Sequence, residues 1–470
     1  MNPLKKLASQ TAIYGLSSVI GRLLNYLLVP LYTRYFLPAE YGVVTELYAY
    51  VAFLVIVLTY GLETAFFRFS KKDNDVKVVY STALISLIVS SIIFVVLMFA
   101  SSPSIASWMG YAGHTEYIEW FAIIIALDAV ASISFARLRE QDKAIRFALV
   151  RLINIFVNIG LNLYFIVHKE FGIEYIFISN LIASIVALVM LFPEMINSSW
   201  RFDKVLWKKM MIYALPLLIA GLAGMTNETI DRILLKHLLP NTEIAASELG
   251  LYGAFYKLSI IMTLFIQTFR FAAEPFFFAQ EKEGNSKKIY ADVMKYFTIV
   301  MAIIFLSVTI FYDIIKGFLG SEYHDERGFL VVSILLLANL FLGIYYNLSI
   351  WYKLTEKTKY GAYLSIFGAV ITLVLNFTLI PIIGFVGSAW ATLVCYFSMM
   401  VASYFLGKKH FPIPYQVGRI ALYLSNMLGI YFFLYFSESN MWFNSLYLVG
   451  FIISIFVLEK QNKTVISNPK

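Results

Sequence analysis

GRLLNYLLVPLYTRYF, residues 21–36, sets Arg22 inside a run that is otherwise mostly apolar up to Arg34. The run extends from about residue 11 to 33, enough for a helix to cross roughly 30 Å of hydrocarbon. Arg22 then sits about eleven residues from either end, some 16 Å along the helix and beyond comfortable snorkelling. A fixed charge at that depth needs water, a counter-ion or a ligand.

The rest of the chain repeats the pattern. Sixty per cent of residues are hydrophobic, 14% are charged, and the mean hydropathy is +0.75. Those values lie far outside the globular range. A β-barrel is excluded, because its strands would alternate apolar and polar residues over roughly ten positions. The reading is an all-α polytopic membrane protein of about 14 spans. They fall near 11–33, 43–66, 79–100, 117–136, 147–167, 175–192, 211–235, 250–274, 296–315, 329–352, 361–380, 386–406, 420–436 and 442–458. The basic start MNPLKKLASQ leads into a segment too long for a signal sequence and lacking a small-residue cleavage site, so it is expected to be a retained first span.

Charge placement orients the spans. Of the 37 Lys and Arg, 27 fall at the termini and on loops of one side, and five on the other side. Both termini are therefore expected in the cytoplasm. The net charge of +8 follows from this topology, and nucleic acid is not invoked. Cys395 stands alone and forms no internal disulfide or cysteine cluster, and none of the five histidines is paired at metal-ligand spacing, so no metal is expected. Asp73-Asn74-Asp75 superficially matches the Asp-x-Asp site of nucleotide-sugar transferases, but a dozen-residue loop cannot hold a nucleotide-binding domain. It reads as a solvated charged loop, and no enzyme activity or catalytic residue is expected.

Two internal similarities divide the chain. KAIRFALVRLINIFVNIGLN (143–162) aligns with KTKYGAYLSIFGAVITLVLN (357–376) at an offset of 214, with four identities. YFLPAEYG (35–42) pairs with HLLP (237–240) and then SELG (247–250), at offsets of 202 and 208. The implied architecture is two six-helix lobes, residues 1–200 and 201–410, with two further spans and a tail in 411–470. Six spans per lobe make the repeat parallel, with a pseudo-twofold axis along the membrane normal and a cavity between lobes that suits alternating access. Pro30, Pro216, Gly221 and Gly224 either loosen the first helix of each lobe or are simple kinks.

Ionisable residues inside the spans are few. The cations are Arg22, Arg232, Lys257 and Arg270; Arg151, near the start of the fifth span, is set aside as reaching the cytoplasm. The anions are Glu63, Asp128, Glu228, Asp231 and Glu274, with Asn25, Asn227 and Gln267 as neutral companions. Cations lining a cavity suit an anionic substrate, since guanidinium groups bind phosphate oxygens bidentately and stay charged when partly dehydrated. Arg22, Asn25, Arg232, Lys257 and Arg270 are the substrate-binding candidates. Glu63, Asp128, Asn227 and Asp231 either bind a coupling H⁺ or Na⁺ or neutralise the arginines.

The opening YGLSSVIGRLLNYLLVPLYTRYFLPAEYGVVTELYAY resembles the polysaccharide transporter family of the multidrug/oligosaccharidyl-lipid/polysaccharide (MOP) flippase superfamily. The Gly-Arg pair, the Pro before LYTRYF, the PAEYG turn and NFTLIPIIGFVGSAWAT carry the resemblance, and the repeat and span count extend it over the chain. It implies a Wzx-type flippase of O-antigen, capsule or exopolysaccharide units in the bacterial inner membrane. The substrate would be an undecaprenyl-pyrophosphate-linked oligosaccharide moving from the cytoplasmic to the periplasmic leaflet. Arg22 matches the family's arginine in the first span. A polysaccharide polymerase or biosynthesis complex is the implied partner, and no cofactor is implied beyond a coupling ion. Three readings compete: a lipid II flippase, a multidrug or cation antiporter, and an integral-membrane polymerase or ligase. The last commonly carries a large periplasmic loop, and the longest outward loop here, SSPSIASWMGYAGHTE, is short and has no Lys or Arg.

Overall fold

The computed structural model describes residues 19–70, 75–280, 285–436 and 441–467, and among these there is no strand. Residues 19–26 are helical, and a turn at Leu27 leads into α1 (Leu28–Tyr35). There follow α2 (Pro38–Thr59), α3 (Leu62–Ser70), α4 (Val76–Trp108), α5 (Thr115–Glu140), α6 (Ala144–Asn162), α7 (Glu174–Ile196), α8 (Lys204–Leu238) and α9 (Thr242–Leu258). The second half comprises α10 (Ile260–Gln280), α11 (Ser286–Ile310), α12 (Tyr312–Lys316), α13 (Gly328–Leu348), α14 (Ile350–Leu354), α15 (Lys359–Ile383), α16 (Phe385–His410), α17 (Val417–Phe436) and α18 (Met441–Ser467).

Thirteen helices among the described residues are long and apolar enough to cross a membrane, and they coincide with the second to fourteenth expected spans. The first expected span, 11–33, lies partly outside the described residues; its remainder is helical from residue 19. Several helices outrun their apolar cores because polar residues cap them. Asp203 accepts the Val205 and Leu206 N–H groups, both at 2.9 Å, and starts α8 well before the apolar run. Asp75 does the same for α4 through Lys77 N–H at 2.9 Å. This gives one member of the Asp73-Asn74-Asp75 triplet a capping role, while Asp73 and Asn74 lie outside the described residues.

Two crossings are broken in the middle. Tyr60 and Gly61 have φ of 32° and 72°, separating α2 from α3. A Cβ on Gly61 would stand 3.1 Å from the Ala214 carbonyl oxygen, so this left-handed turn also lets α8 approach closely. The eighth expected span is interrupted at Ser259, whose hydroxyl donates to the Tyr256 carbonyl at 2.7 Å instead of leaving it to the helix ladder.

The chain forms two compact units: residues up to Gly253 with Ser365–Ser388, and Ala254–Leu364 with Ala389 onward. The first is centred on Leu62, Phe66, Tyr80, Leu84 and Met210, all essentially inaccessible. Apolar contact between helices gains little from water exclusion in a bilayer, so packing and interhelical hydrogen bonds carry more of the specificity. Tyr80 to Ser134 (3.0 Å), Tyr60 to Ser86 (2.7 Å) and Trp207 Nε1–H to Ser86 (2.8 Å) are such bonds. Each contributes on the order of 1 kcal/mol. The segment before α8 is strapped to α4, with Arg201 N–H donating to Ser81 Oγ at 3.0 Å and Asp203 N–H to Thr82 Oγ1 at 3.1 Å. In the second unit, α11 is largely buried and holds α18 through a 2.6 Å ion pair from Lys295 to Glu459. The Tyr423 hydroxyl of α17 donates to the same carboxylate at 2.6 Å.

Candidate functional site

Arg22 and Asn25, three residues apart on the helix at 19–26, are both exposed, and Arg22 forms no ion pair among the described residues. The succeeding turn buries Leu28, Val29, Tyr32 and Thr33 instead. Tyr32 fastens the helix to α6 by donating its hydroxyl proton to Asn162 at 2.9 Å. The polar pair is thus left on an accessible flank of a segment anchored elsewhere.

Asn227 and Asp231 are four residues apart on α8, and the structure buries both. Asn227 donates to the Ser365 carbonyl of α15 at 3.0 Å and accepts the Thr372 hydroxyl at 3.4 Å. Asp231 accepts the Tyr252 hydroxyl of α9 at 2.5 Å and the Arg232 N–H at 2.8 Å. Arg232 is half-buried, with its guanidinium 3.3 Å from the Glu228 carbonyl one turn earlier.

Asp128 is exposed although it lies midway along α5, and it accepts the Ser184 hydroxyl of α7 at 2.9 Å. Arg151 of α6 interacts electrostatically with Asp128 and Glu63. Arg151 is itself exposed, with its guanidinium 4.1 Å from the Phe135 ring centre. Glu63 itself pairs with Arg139 at 2.5 Å; both side chains are half-exposed, a geometry contributing about 1 kcal/mol or less.

Sequence reasoning missed one cluster entirely. Glu46 of α2 is fully buried and accepts the Lys236 ammonium of α8 at 3.1 Å. Tyr111, in the turn between α4 and α5, donates to the same Glu46 oxygen and accepts from Lys236 at 2.9 Å. Burial, and then the Glu46 carboxylate, push the Tyr111 phenol far above its ordinary range, so it remains a donor. His237 adds a ring stacked on Trp108 with centres 4.9 Å apart and a 2.9 Å contact to the Tyr50 hydroxyl. Glu46 stands near one end of its span and Lys236 just beyond the end of another, where charges are ordinarily tolerated. The available signal was opposite charge at matching depth.

The second unit contains Lys257, which is half-buried, and Arg270. Arg270 lies 4.0 Å from the Tyr346 ring centre, with Nε 3.6 Å from a Glu274 oxygen. Glu274 is shared with Lys353, whose ammonium is 2.7 Å away. Two cations on one carboxylate leave net positive charge, and the buried Arg270 Nε–H has no hydrogen-bond acceptor. Such a site favours an anionic oxygen.

The model of a family described as polysaccharide biosynthesis protein matches residues 31–328. No curated protein matches the chain by sequence. Among solved structures, a lipid II flippase MurJ in an inward closed conformation superposes with TM-score 0.74 at 15% identity, covering 97% of this chain and 99% of that one. An inward-facing multidrug resistance MATE family transporter of the MOP superfamily gives 0.66 at 13% identity, covering 88% and 95%. A MOP superfamily transporter from Pyrococcus furiosus gives 0.54 at 12%, covering 86% and 94%. At these identities the likeness is one of fold, and the family match supplies the lineage. With well over half its length matched, the chain belongs to the polysaccharide biosynthesis protein family and carries the fold of MOP superfamily transporters.

Proposed function

We propose that this multi-pass membrane protein is a flippase that moves polyprenyl-pyrophosphate-linked oligosaccharides, undecaprenyl-linked units of an O-antigen, capsule or exopolysaccharide, between leaflets by alternating access. The observation that carries the reading is Arg22: an accessible guanidinium deep in an apolar segment, unpaired among the described residues, in a chain of a polysaccharide biosynthesis family. A guanidinium offers two parallel N–H donors to a pyrophosphate, and Asn25 on the same helix offers a neutral donor beside it. Arg232, Lys257 and Arg270 are the further cations this reading assigns to an anionic substrate, while the lipid tail stays in the bilayer. Asp128 and Glu63 are the carboxylates this reading assigns to exchanging a proton or Na⁺ during the cycle, with Asn227 and Asp231 as the second coupling pair.

Both termini are cytoplasmic in this reading, the membrane is the bacterial inner membrane, and the moving parts follow the repeat lobes 1–200 and 201–410, with 411–470 appended. A polymerase of the same polysaccharide would receive the product. The test is leaflet translocation of a fluorescent polyprenyl-pyrophosphate oligosaccharide in proteoliposomes. Transfer above that of empty vesicles supports the proposal, and its absence with every pyrophosphate-linked glycan refutes it. Likeness to the lipid II flippase fold favours lipid II as the second cargo, so lipid II belongs in the same assay as competitor.

A further inference from the structure

In the second unit, the ends of α11 and α17, the short helix α12, the loop at 324–326 and the starts of α13 and α18 surround a cavity of about 400 Å³. That volume falls among small-molecule sites and is too small for a whole oligosaccharide. Its walls are held in place. His324 sets Nε2 3.1 Å from the Lys316 carbonyl, closing the loop onto α12, and Tyr323 beside it is fully buried. Gly328 opens α13 where a Cβ would stand 2.5 Å from the Tyr312 hydroxyl, so the Tyr312 side chain rests directly on that helix. A cavity built this way loses little freedom when it is filled.

The lining offers two kinds of surface. Tyr312, Phe329 and Tyr431 form an aromatic wall, with the Phe329 ring centre 5.2 Å from that of Tyr312, edge-on, and 5.9 Å from that of Tyr431, stacked. Asp313, Asp325, Glu326 and the Asn444 amide supply oxygen acceptors around it. Two of these carboxylates already hold a cation: Asp313 lies 2.6 Å from the Lys316 ammonium, and Asp325 lies 2.8 Å from the Arg327 guanidinium. A cationic ligand would have to displace those partners, and a phosphate would face like charge on several sides. A neutral sugar meets neither obstacle. Each of its hydroxyls can donate to a carboxylate and accept from a neighbouring ammonium, while its C–H face covers an aromatic ring.

We propose that this cavity is a carbohydrate subsite, which takes one uncharged terminal sugar of the glycan by its hydroxyls and its C–H face and excludes the pyrophosphate. The two ends of a lipid-linked glycan are then sorted by charge: carboxylates and rings receive the sugar, and accessible guanidinium receives the phosphates. The inference rests on the flippase reading for the glycan, and on the expected topology for the side of the membrane. On that topology the loop at 319–329 is periplasmic, and the cavity holds the sugar end after transfer.

The test uses the full chain in lipid nanodiscs, with methyl glycosides of neutral hexoses and N-acetylhexosamines as probes. Saturation-transfer NMR should detect binding of at least one of them by the parent. Asp313→Ala and Glu326→Ala change exposed residues and should each weaken that binding roughly tenfold, the loss expected for a hydrogen bond to a charged group. Glu322→Ala, in the same loop but outside the cavity, should bind as the parent does. Leu434→Trp should fill the cavity and abolish binding; if it melts below the parent, the two alanine variants decide. Binding of no glycoside, or equal binding by the parent, Asp313→Ala and Glu326→Ala, would overturn the subsite. Displacement of the bound glycoside by equimolar spermidine or inorganic phosphate would overturn it in favour of a charged ligand. Binding that the variants weaken, in a protein that moves no lipid-linked glycan in proteoliposomes, would keep the subsite and refute the proposed cargo. Glycan transfer without glycoside binding would keep the cargo and overturn the subsite.

Discussion

Asp231 accepts the Tyr252 hydroxyl at 2.5 Å, and its second oxygen takes the Arg232 backbone N–H at 2.8 Å, so both oxygens of this buried carboxylate are engaged. The arrangement ties α8 to α9 and competes with any ion that would occupy the same oxygens. Tyr252→Phe removes one donor and leaves the carboxylate short of a partner, at a cost of about 1–3 kcal/mol. Thermal unfolding in detergent should show a melting point lowered by several degrees. Asp231→Asn separates the two roles. A coupling residue would lose gradient-driven flux and keep substrate binding, whereas a structural one would lose stability with the gradient response intact. Flux unchanged across imposed H⁺ and Na⁺ gradients would remove Asp231 from coupling.

The helices were legible because roughly twenty apolar residues in a row admit few other solutions in a membrane. Partner choice was not. Spacing places Asn227 and Asp231 on one face of α8, yet one reaches α15 and the other α9, a divergence only tertiary packing decides. The contact of Arg151 with Phe135 was not legible either, because a long side chain near a span end can point either way and spacing does not say which ring it will meet. Glu46 and Lys236 escaped notice because depth estimated from a hydropathy boundary is uncertain by about a turn. By contrast, the offset of 208 between AEYG and SELG, read from letters alone, relates residues that touch in space.

Topology is the next expectation to check. The stretch EKEGNSKKIY (281–290) should face the cytoplasm and LGSEYHDERGF (319–329) the periplasm, following the 27-to-5 partition of Lys and Arg. In a Cys395→Ser background, Ser286→Cys should resist an impermeant thiol reagent added to cells with a permeabilised outer membrane. Ser321→Cys should react under the same conditions. The opposite pattern would invert the map.

The loop ahead of α13 offers a pH test. Arg327 donates Nη2–H to Asp325 at 2.8 Å and Nε–H at 2.9 Å, and these hydrogen bonds hold the Asp325 carboxyl below the usual carboxylate range. A lowered folded-state pKa means the contribution is fully present above the unfolded value of about 4 and disappears as pH falls through the folded value. The pair is partly exposed, so the effect should be modest, about 1 kcal/mol or less. Asp325→Asn should lower the melting point slightly at neutral pH, and the gap to wild type should close as the pH falls below about 4. A gap that widens on acidification would contradict the assignment.

Arg22 returns as the decisive residue for cargo. It is exposed, lacks an ion-pair partner among the described residues, and belongs to a helix whose buried face is made by other side chains. Arg22→Ala should therefore insert, fold and melt as wild type does, since no buried carboxylate is left behind. Losing a bidentate contact to pyrophosphate should weaken substrate binding by on the order of 2–4 kcal/mol, and transport should fall with it. Arg22→Lys should restore only part of the activity, because a point charge lacks the paired N–H geometry. A structural arginine makes the reverse prediction: Arg22→Ala would lower the melting point and protein level, and neutralising Glu63 or Asp128 in the same chain would restore both. Measuring stability in detergent and surface-polysaccharide complementation on the same variants distinguishes these outcomes. Complete complementation by Arg22→Ala at normal abundance would rule out the pyrophosphate contact.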